Sequence, residues 1–160
     1  MKKKTLESKV KVRFHDCDPY NHLNNSKYID YVITARGDQL LDDYNLDIYD
    51  LARVKNLGWV VSQTQISYLT PAYLMEEVVI QTQLIAFSDR SLSVEALMWD
   101  GSKQTLKAVM WTKLVHFNLK TKQTQEHSED LQQLFEEIVN PMPQPVDFET
   151  RVKQLKPKKL

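Results

Sequence analysis

Apolar residues recur along this chain with two periods, and the changeovers between them divide it into elements. Residues 8–16 alternate, with Val10, Val12, Phe14 and Asp16 on one side and Lys9, Lys11, Arg13 and His15 on the other. Period two predicts a half-buried strand that carries Asp16 toward the covered side. Pro19 blocks its continuation, because proline has no N–H and restricts the residue before it. From Tyr28 the spacing changes to three and four. Tyr28, Ile29, Val32, Ile33, Ala35, Leu40, Leu41 and Tyr44 predict a long helix covered on much of its circumference. Asn24 or Asn25 can cap it. Gly37 weakens its middle by about 1 kcal/mol relative to alanine, which packing can absorb. A polar, acidic stretch then leads to a short helical turn around residues 49–55.

The remainder alternates again. Residues 59–69 are rich in Val, Ile, Thr and Tyr, and Pro71 closes them. Residues 78–87, 92–98 and 106–117 follow at period two, separated by Ser88-Asp89-Arg90 and by the hairpin signal Asp100-Gly101. Four strands in series with short turns predict an antiparallel meander. Ser128 caps a last helix, with Leu131, Leu134, Phe135 and Ile138 on one face. Residues 1–140 therefore read as one α+β domain. Residues 141–160 hold four of the six prolines and a basic end, and read as an extended or mobile tail.

Composition narrows the function. Formal net charge is zero, so there is no electrostatic footprint for nucleic acid and no polybasic case for a membrane surface. Cys17 is the single cysteine, which excludes an internal disulfide, and no zinc-ligand spacing occurs. The basic start lacks the apolar run of a signal peptide, and a cytoplasmic protein is expected. Chemistry concentrates instead at the changeover from strand to helix. Residues 15–25 hold Asp16, Asp18, His15, His22, Cys17, Asn21, Asn24 and Asn25. Polar side chains there can face a ligand together with the free N–H groups of a helix start.

The run Asp16-Cys17-Asp18-Pro19, then His22, Asn24-Asn25 and Tyr28, resembles the signature of hotdog-fold acyl-CoA thioesterases, in particular the 4-hydroxybenzoyl-CoA thioesterase group. Gly58-Trp59-Val60-Val61 and Tyr68-Leu69-Thr70-Pro71-Ala72 are similar to that group's second strand and its exit. The resemblance implies a five-stranded antiparallel sheet wrapped around a long central helix. It also implies a homodimer with the site between subunits, and leaves open the pairing of two dimers into a tetramer. The substrate would be an acyl-CoA, with coenzyme A part of that substrate and no separate cofactor or metal.

By the same resemblance Asp18 is the catalytic base or nucleophile and the Asn25 N–H polarises the carbonyl. From spacing alone, Asp18 reads first as a turn cap, and the resemblance reverses that order. Asp16 is expected to be a buried acceptor for backbone N–H groups. His22 is either an auxiliary or a structural histidine; plant acyl-carrier-protein thioesterases place Asp, Asn and His in a D-x-N-x-H run, but here Tyr20 holds the Asn position. Asn24 and Tyr28 are expected to orient the substrate. Gln63 and Thr64 on the second strand can hold the attacking water, although no glutamate stands there. Arg90 is the one basic residue left where relatives bind coenzyme A phosphates, with a solvated turn as its plainer reading. A reactive Cys17 is disfavoured, because strand parity points it away from Asp16 and Asp18. An acyl-carrier-protein thioesterase and a non-catalytic acyl-binding module remain the alternatives.

Overall fold

The computed structural model describes residues 1–156, in which an antiparallel sheet curls around one long helix. In chain order the elements are β1 (Thr5–Lys11), α1 (Tyr28–Tyr44), α2 (Ile48–Lys55), β2 (Leu57–Tyr68), β3 (Glu77–Phe87) and β4 (Ser91–Asp100). They continue with β5 (Leu106–Asn118), the two-residue β6 (Gln123–Thr124), α3 (Glu129–Ile138) and α4 (Phe148–Leu155). The strands lie in the order β1-β3-β4-β5-β2, with β6 paired to the end of β5.

Strand alternation sorts inner from outer residues. Val78, Ile80, Ala96, Met98, Ala108 and Met110 pack with Tyr28, Val32 and Ala35 of α1. Bulges at Val61/Gln63, Leu84/Ala86 and Met98/Trp99 interrupt the ladders. Each bulge bends its strand and adds twist, which lets the sheet wrap the helix. Buried Gln39 ties the layers together: its Nε2 donates to Ser8 Oγ and to Ile80 O, and its Oε1 accepts from Thr82. Asn45, in the left-handed conformation at φ 54°, ends α1 by returning its N–H to Leu40 and Leu41. Helix α3 is capped by Ser128 and buries Phe135 and Ile138 against Leu6, Tyr44 and Leu84.

Three expectations are corrected. The first strand stops at Lys11 rather than running to residue 16: Val12 still donates to Glu76 O, but Met75, at φ 67°, returns its N–H to Val12 O out of register, and the Arg13 N–H leaves for the Tyr31 hydroxyl. Residues Phe14–Asp16 then form a single 3-10 turn that leaves Phe14 79% exposed. The strands are not a simple meander either: β3, β4 and β5 are consecutive neighbours, but β2 crosses to the far side of β5. Finally, residues 148–155 are helical, not extended. Asp147 caps α4, and Phe148 and Val152 bury against Leu97, Leu106 and Val109 on the outer face of the sheet. The end of the expected tail, 157–160, lies outside the described residues. Among the described residues no helix is long and apolar enough to cross a membrane.

One ionic group fixes α4 to that outer face. Glu95 on β4 is fully buried and accepts from Arg151 Nε and Nη2 at 2.8 Å each, from Trp111 Nε1 at 2.8 Å and from Gln83 Nε2 at 3.0 Å. Burial pushes the Glu95 pKa up, but Arg151, Trp111 and Gln83 outweigh it and hold the carboxyl below the ordinary glutamate value. A depressed carboxylate adds stability above the unfolded pKa of about 4.3 and loses it as pH falls through the folded value. Arg151→Met leaves Glu95 buried without its counter-charge, so urea denaturation at pH 7 should show a loss of about 3–5 kcal/mol. The deficit should narrow toward pH 4 as Glu95 protonates; a pH-independent deficit would contradict this account.

Candidate active site

The loop between β1 and α1 folds on the backbone of Asp18. Its Oδ1 accepts the N–H of Tyr20 at 2.9 Å and of His22 at 3.1 Å. Its own N–H donates to His22 O at 2.8 Å, and its carbonyl accepts the Asn21 N–H at 3.1 Å. Asn21 takes φ 61°, a left-handed conformation that asparagine tolerates better than most residues. These bonds fix the carboxyl group, and Oδ2 forms no hydrogen bond among the described residues.

The start of the long helix is built beside it. Asn24 Oδ1 accepts the Ser26 N–H at 3.0 Å and its hydroxyl at 2.9 Å. The Lys27 N–H returns to Asn24 O, and the Asn24 N–H goes to Asp16 O. The Asn25 N–H, at the first position of the 3-10 turn Asn25–Lys27, has no such partner among the described residues. It is an orphan donor of the kind every helix start leaves. Its peptide is held from the other end: the Tyr68 hydroxyl donates to Asn25 O at 2.8 Å. The Tyr68 ring in turn meets Tyr28 edge-on, with centroids 5.0 Å apart.

The two halves meet at a cleft of about 370 Å³. Asp18, His22, Asn24, Asn25, Tyr28 and Tyr68 line it, and Leu69, Thr70 and Pro71 complete the wall. That wall is clamped from behind. Lys107, 4% exposed, donates to Pro71 O at 2.9 Å and pairs with Glu76 at 2.8 Å. Glu76 also accepts the Tyr73 N–H, while the Leu23 N–H bonds to Ala72 O and the Ala72 N–H to the Tyr28 hydroxyl. Burial pushes the Tyr28 pKa up, so its hydroxyl is neutral at pH 7. A second cavity of similar volume lies under α1, but it is largely apolar and holds neither a carboxylate nor a histidine; those groups lie in the polar cleft.

Most of the expected residues converge and some do not. Asp18, His22, Asn24, Asn25 and Tyr28 come together; Gln63, Thr64 and Arg90 do not line the cleft within one chain. The Arg90 guanidinium is instead engaged by Thr124 at 3.1 Å and Glu126 at 3.2 Å. His22 packs edge-on against Tyr73, with centroids 5.2 Å apart. Asp16 departs from its expected bonding: Oδ2 accepts from the Tyr31 hydroxyl at 2.6 Å rather than from backbone N–H groups. Cys17 donates to Arg13 O at 3.4 Å, and desolvation together with Asp18 and Asp16 pushes its thiol pKa up, the opposite of an activated nucleophile. Among the described residues no group of three His, Cys, Asp or Glu is placed to hold a metal. Tyr31 and Lys107 carry no signal in residue type or spacing, whereas the run Tyr68-Leu69-Thr70-Pro71-Ala72 marked Tyr68.

A carboxylate with one oxygen fixed and one unengaged, beside an orphan amide, can activate water and receive a developing oxyanion. Known proteins share this framework. The family model described as "Thioesterase-like superfamily" matches residues 12–135. The chain is similar to the long-chain acyl-CoA thioesterase FadM of Escherichia coli strain K12, 27% identical over 135 residues, which is 84% of this chain and 99% of that protein. The crystal structure of YbaW, a probable thioesterase from Escherichia coli, superposes with a TM-score of 0.71 at 26% identity, covering 84% of this chain and 99% of that one. Slr0204, a 1,4-dihydroxy-2-naphthoyl-CoA thioesterase from Synechocystis, gives 0.75 at 14% identity over 86% and 99%, a likeness of fold alone. Helix α4 lies beyond the matched residues.

The clamp behind the wall is testable without a substrate. A hydrogen bond to a charged group contributes about 1.5–3 kcal/mol. Lys107→Met should therefore raise amide hydrogen exchange at Leu23 and Ala72 by roughly tenfold or more, with the β3 and β4 amides still protected. Unchanged exchange at those two amides would mean that Lys107 does not hold the wall.

Proposed function

The chain belongs to the thioesterase-like superfamily, and from that premise we propose that it hydrolyses an acyl-CoA to a carboxylic acid and free coenzyme A. Asp18 Oδ2 takes a proton from a water molecule, whose oxygen attacks the thioester carbon. The oxyanion is received by the Asn25 N–H, a donor of the type worth about 3–4 kcal/mol in the transition state. Collapse of the intermediate breaks the C–S bond and expels the thiolate, and the proton held by Asp18 passes to that thiolate or to solvent, restoring the carboxylate; alkyl thiols ionise near pH 8.5, so the leaving group needs little help from an acid. The reading rests above all on one observation: Asp18, with Oδ1 held by two N–H groups and Oδ2 unengaged, lines the same cleft as the unpaired Asn25 amide. His22 and Asn24 orient the water and the carbonyl, and Tyr28 shapes the entry to the acyl side.

The same reading calls for a homodimer with the site at its seam. Strand β2 is a twelve-residue edge paired to β5 on one side only, with Val60 and Val61 exposed at 41% and 51%. A long unpaired edge with exposed apolar residues is a template for pairing with another chain. Antiparallel pairing about the middle of β2 would bring Gln63 and Thr64 to the seam, within reach of the partner's cleft.

Asp18→Asn keeps an oxygen to accept the Tyr20 and His22 N–H groups, so the loop should persist while the base is lost. Turnover of an acyl-CoA panel, followed by free thiol release, should fall about 10²–10⁴-fold. Near-normal turnover would remove Asp18 from the mechanism, and acyl-CoA binding without thiol release in the wild type would indicate a binding module. Placing a charge on the edge with Val61→Lys should shift sedimentation from dimer to monomer and lower turnover with it; a monomeric wild type would contradict the seam.

A further inference from the structure

The apolar cavity beneath α1, about 370 Å³, contains one charged residue. Val32, Leu40, Trp59, Leu84, Met110 and Phe135 form much of its wall, and Arg36 projects among them from the fourth turn-related position after Val32. The Arg36 Nη1 donates to Thr82 Oγ1 at 2.8 Å. Of the five N–H donors that a guanidinium carries, that is the bond made among the described residues, and no carboxylate there pairs with it. The side chain keeps partial exposure because it lines the cavity. Desolvation still lowers its pKa to about 10, with the Tyr44 hydroxyl opposing the shift, so it is fully charged at pH 7.

The local hydrogen bonding does not account for that charge. Thr82 already donates to Gln39 Oε1, and any neutral donor would fill its other lone pair. The Tyr44 hydroxyl is committed to Lys3 O. A desolvated cation ordinarily has a counter-ion, since burial otherwise disfavours its charged form. A second polar atom on the same wall is also unsatisfied: Thr112 Oγ1 is buried and has no partner among the described residues. The volume falls in the range of about 300–1,000 Å³ typical of sites that enclose a small ligand, and mostly apolar lining with a few polar groups is their usual chemistry.

We infer that this cavity binds an aliphatic chain carrying a carboxylate, with Arg36 as the counter-ion and the apolar wall around the chain. Two sources supply that chemistry. One is the far end of an ω-carboxyacyl substrate whose thioester lies in the polar cleft. Tyr28 lines that cleft and Val32 lines the cavity, and both border the closed seam between them, which methionines 98 and 110 also flank. Unbranched methionine side chains are suited to part for a chain. From Tyr28 to Arg36 is eight residues of helix, about 12 Å, a span for a medium-length chain. The other source is a free fatty acid, the kind of product that the proposed hydrolysis releases.

Binding is measured with no thioester present, so the outcome stands apart from the thioesterase reading. Isothermal titration of the wild-type protein with dodecanoate and with dodecanol should give at least about tenfold tighter binding of the acid, because charge-assisted bonds are the stronger ones. Arg36→Met should abolish that preference while still binding dodecanol, and Arg36→Lys should retain part of it; thermal melting of both variants checks that each is folded. Equal binding of acid and alcohol by the wild type, no binding of dodecanoate, or an unchanged preference in Arg36→Met would overturn the inference. Two kinetic arms then identify the source. An Arg36-dependent preference in kcat/KM for the ω-carboxy over the plain dodecanoyl-CoA assigns the carboxylate to the substrate's far end. Arg36-dependent slowing of turnover by dodecanoate, without that preference, assigns it to the released acid.

Discussion

The site depends on a pair of hydrogen bonds that a carboxylate accepts from its own loop. An aspartate on a surface turn ordinarily samples several rotamers, and holding it still costs entropy. Here the Tyr20 and His22 N–H groups take Oδ1, and the reciprocal bond from the Asp18 N–H to His22 O closes the ring. The cost of orientation is thus met during folding, and in the proposed mechanism this makes Asp18 a preorganised base. The opposing amide is prepared in the same way. Asn24 caps Ser26 and leaves the Asn25 N–H unpaired, while Tyr68 on β2 grips the carbonyl of Asn25. Carboxylate and amide therefore come from one short stretch of chain, the first held by its own loop and the second gripped from β2.

That division explains why the loop after β2 is reinforced. A buried lysine is expensive unless it is paired, and Lys107 is paired with Glu76 and bonded to Pro71 O. Its position on β5 makes the central sheet the anchor for the wall of the cleft. On the opposite face, Glu95 and Arg151 anchor α4 over Trp111 and Val109 in the same manner. Both ionic groups sit at the margins of apolar clusters, so the charges fix geometry where packing alone would permit sliding.

Much of this was legible in the residues. Period two separated the inner from the outer residues of β3, β4 and β5, and the Asn24 cap, the Ser128 cap and the long helix followed from local rules. The convergence of Asp18, His22, Asn24 and Asn25 came from their density in one loop and from a family resemblance. What escaped was long-range. Nothing in the spacing of 59–69 says that it pairs with β5 rather than β3. The Val10-Val12-Phe14 alternation continued past the true strand end, because the break is made by Met75 and Tyr31, partners distant in sequence. Prolines 141, 143 and 145 masked the helical spacing of Phe148, Val152 and Leu155 behind its Asp147 cap. Arg36 occupies the helix stripe between Val32 and Leu40, a charge among apolar positions that marked a cavity rather than a surface.

The central claim is that the Asp18 carboxylate and the Asn25 amide converge on one carbonyl group. A crystal structure with an acyl-CoA analogue in which a methylene replaces the thioester sulfur tests it most directly. The account predicts the ketone oxygen about 3 Å from the Asn25 nitrogen, with Asp18 Oδ2 or a water bound to it about 3–3.5 Å from the carbonyl carbon. A fully occupied analogue whose carbonyl lies away from both groups would contradict it.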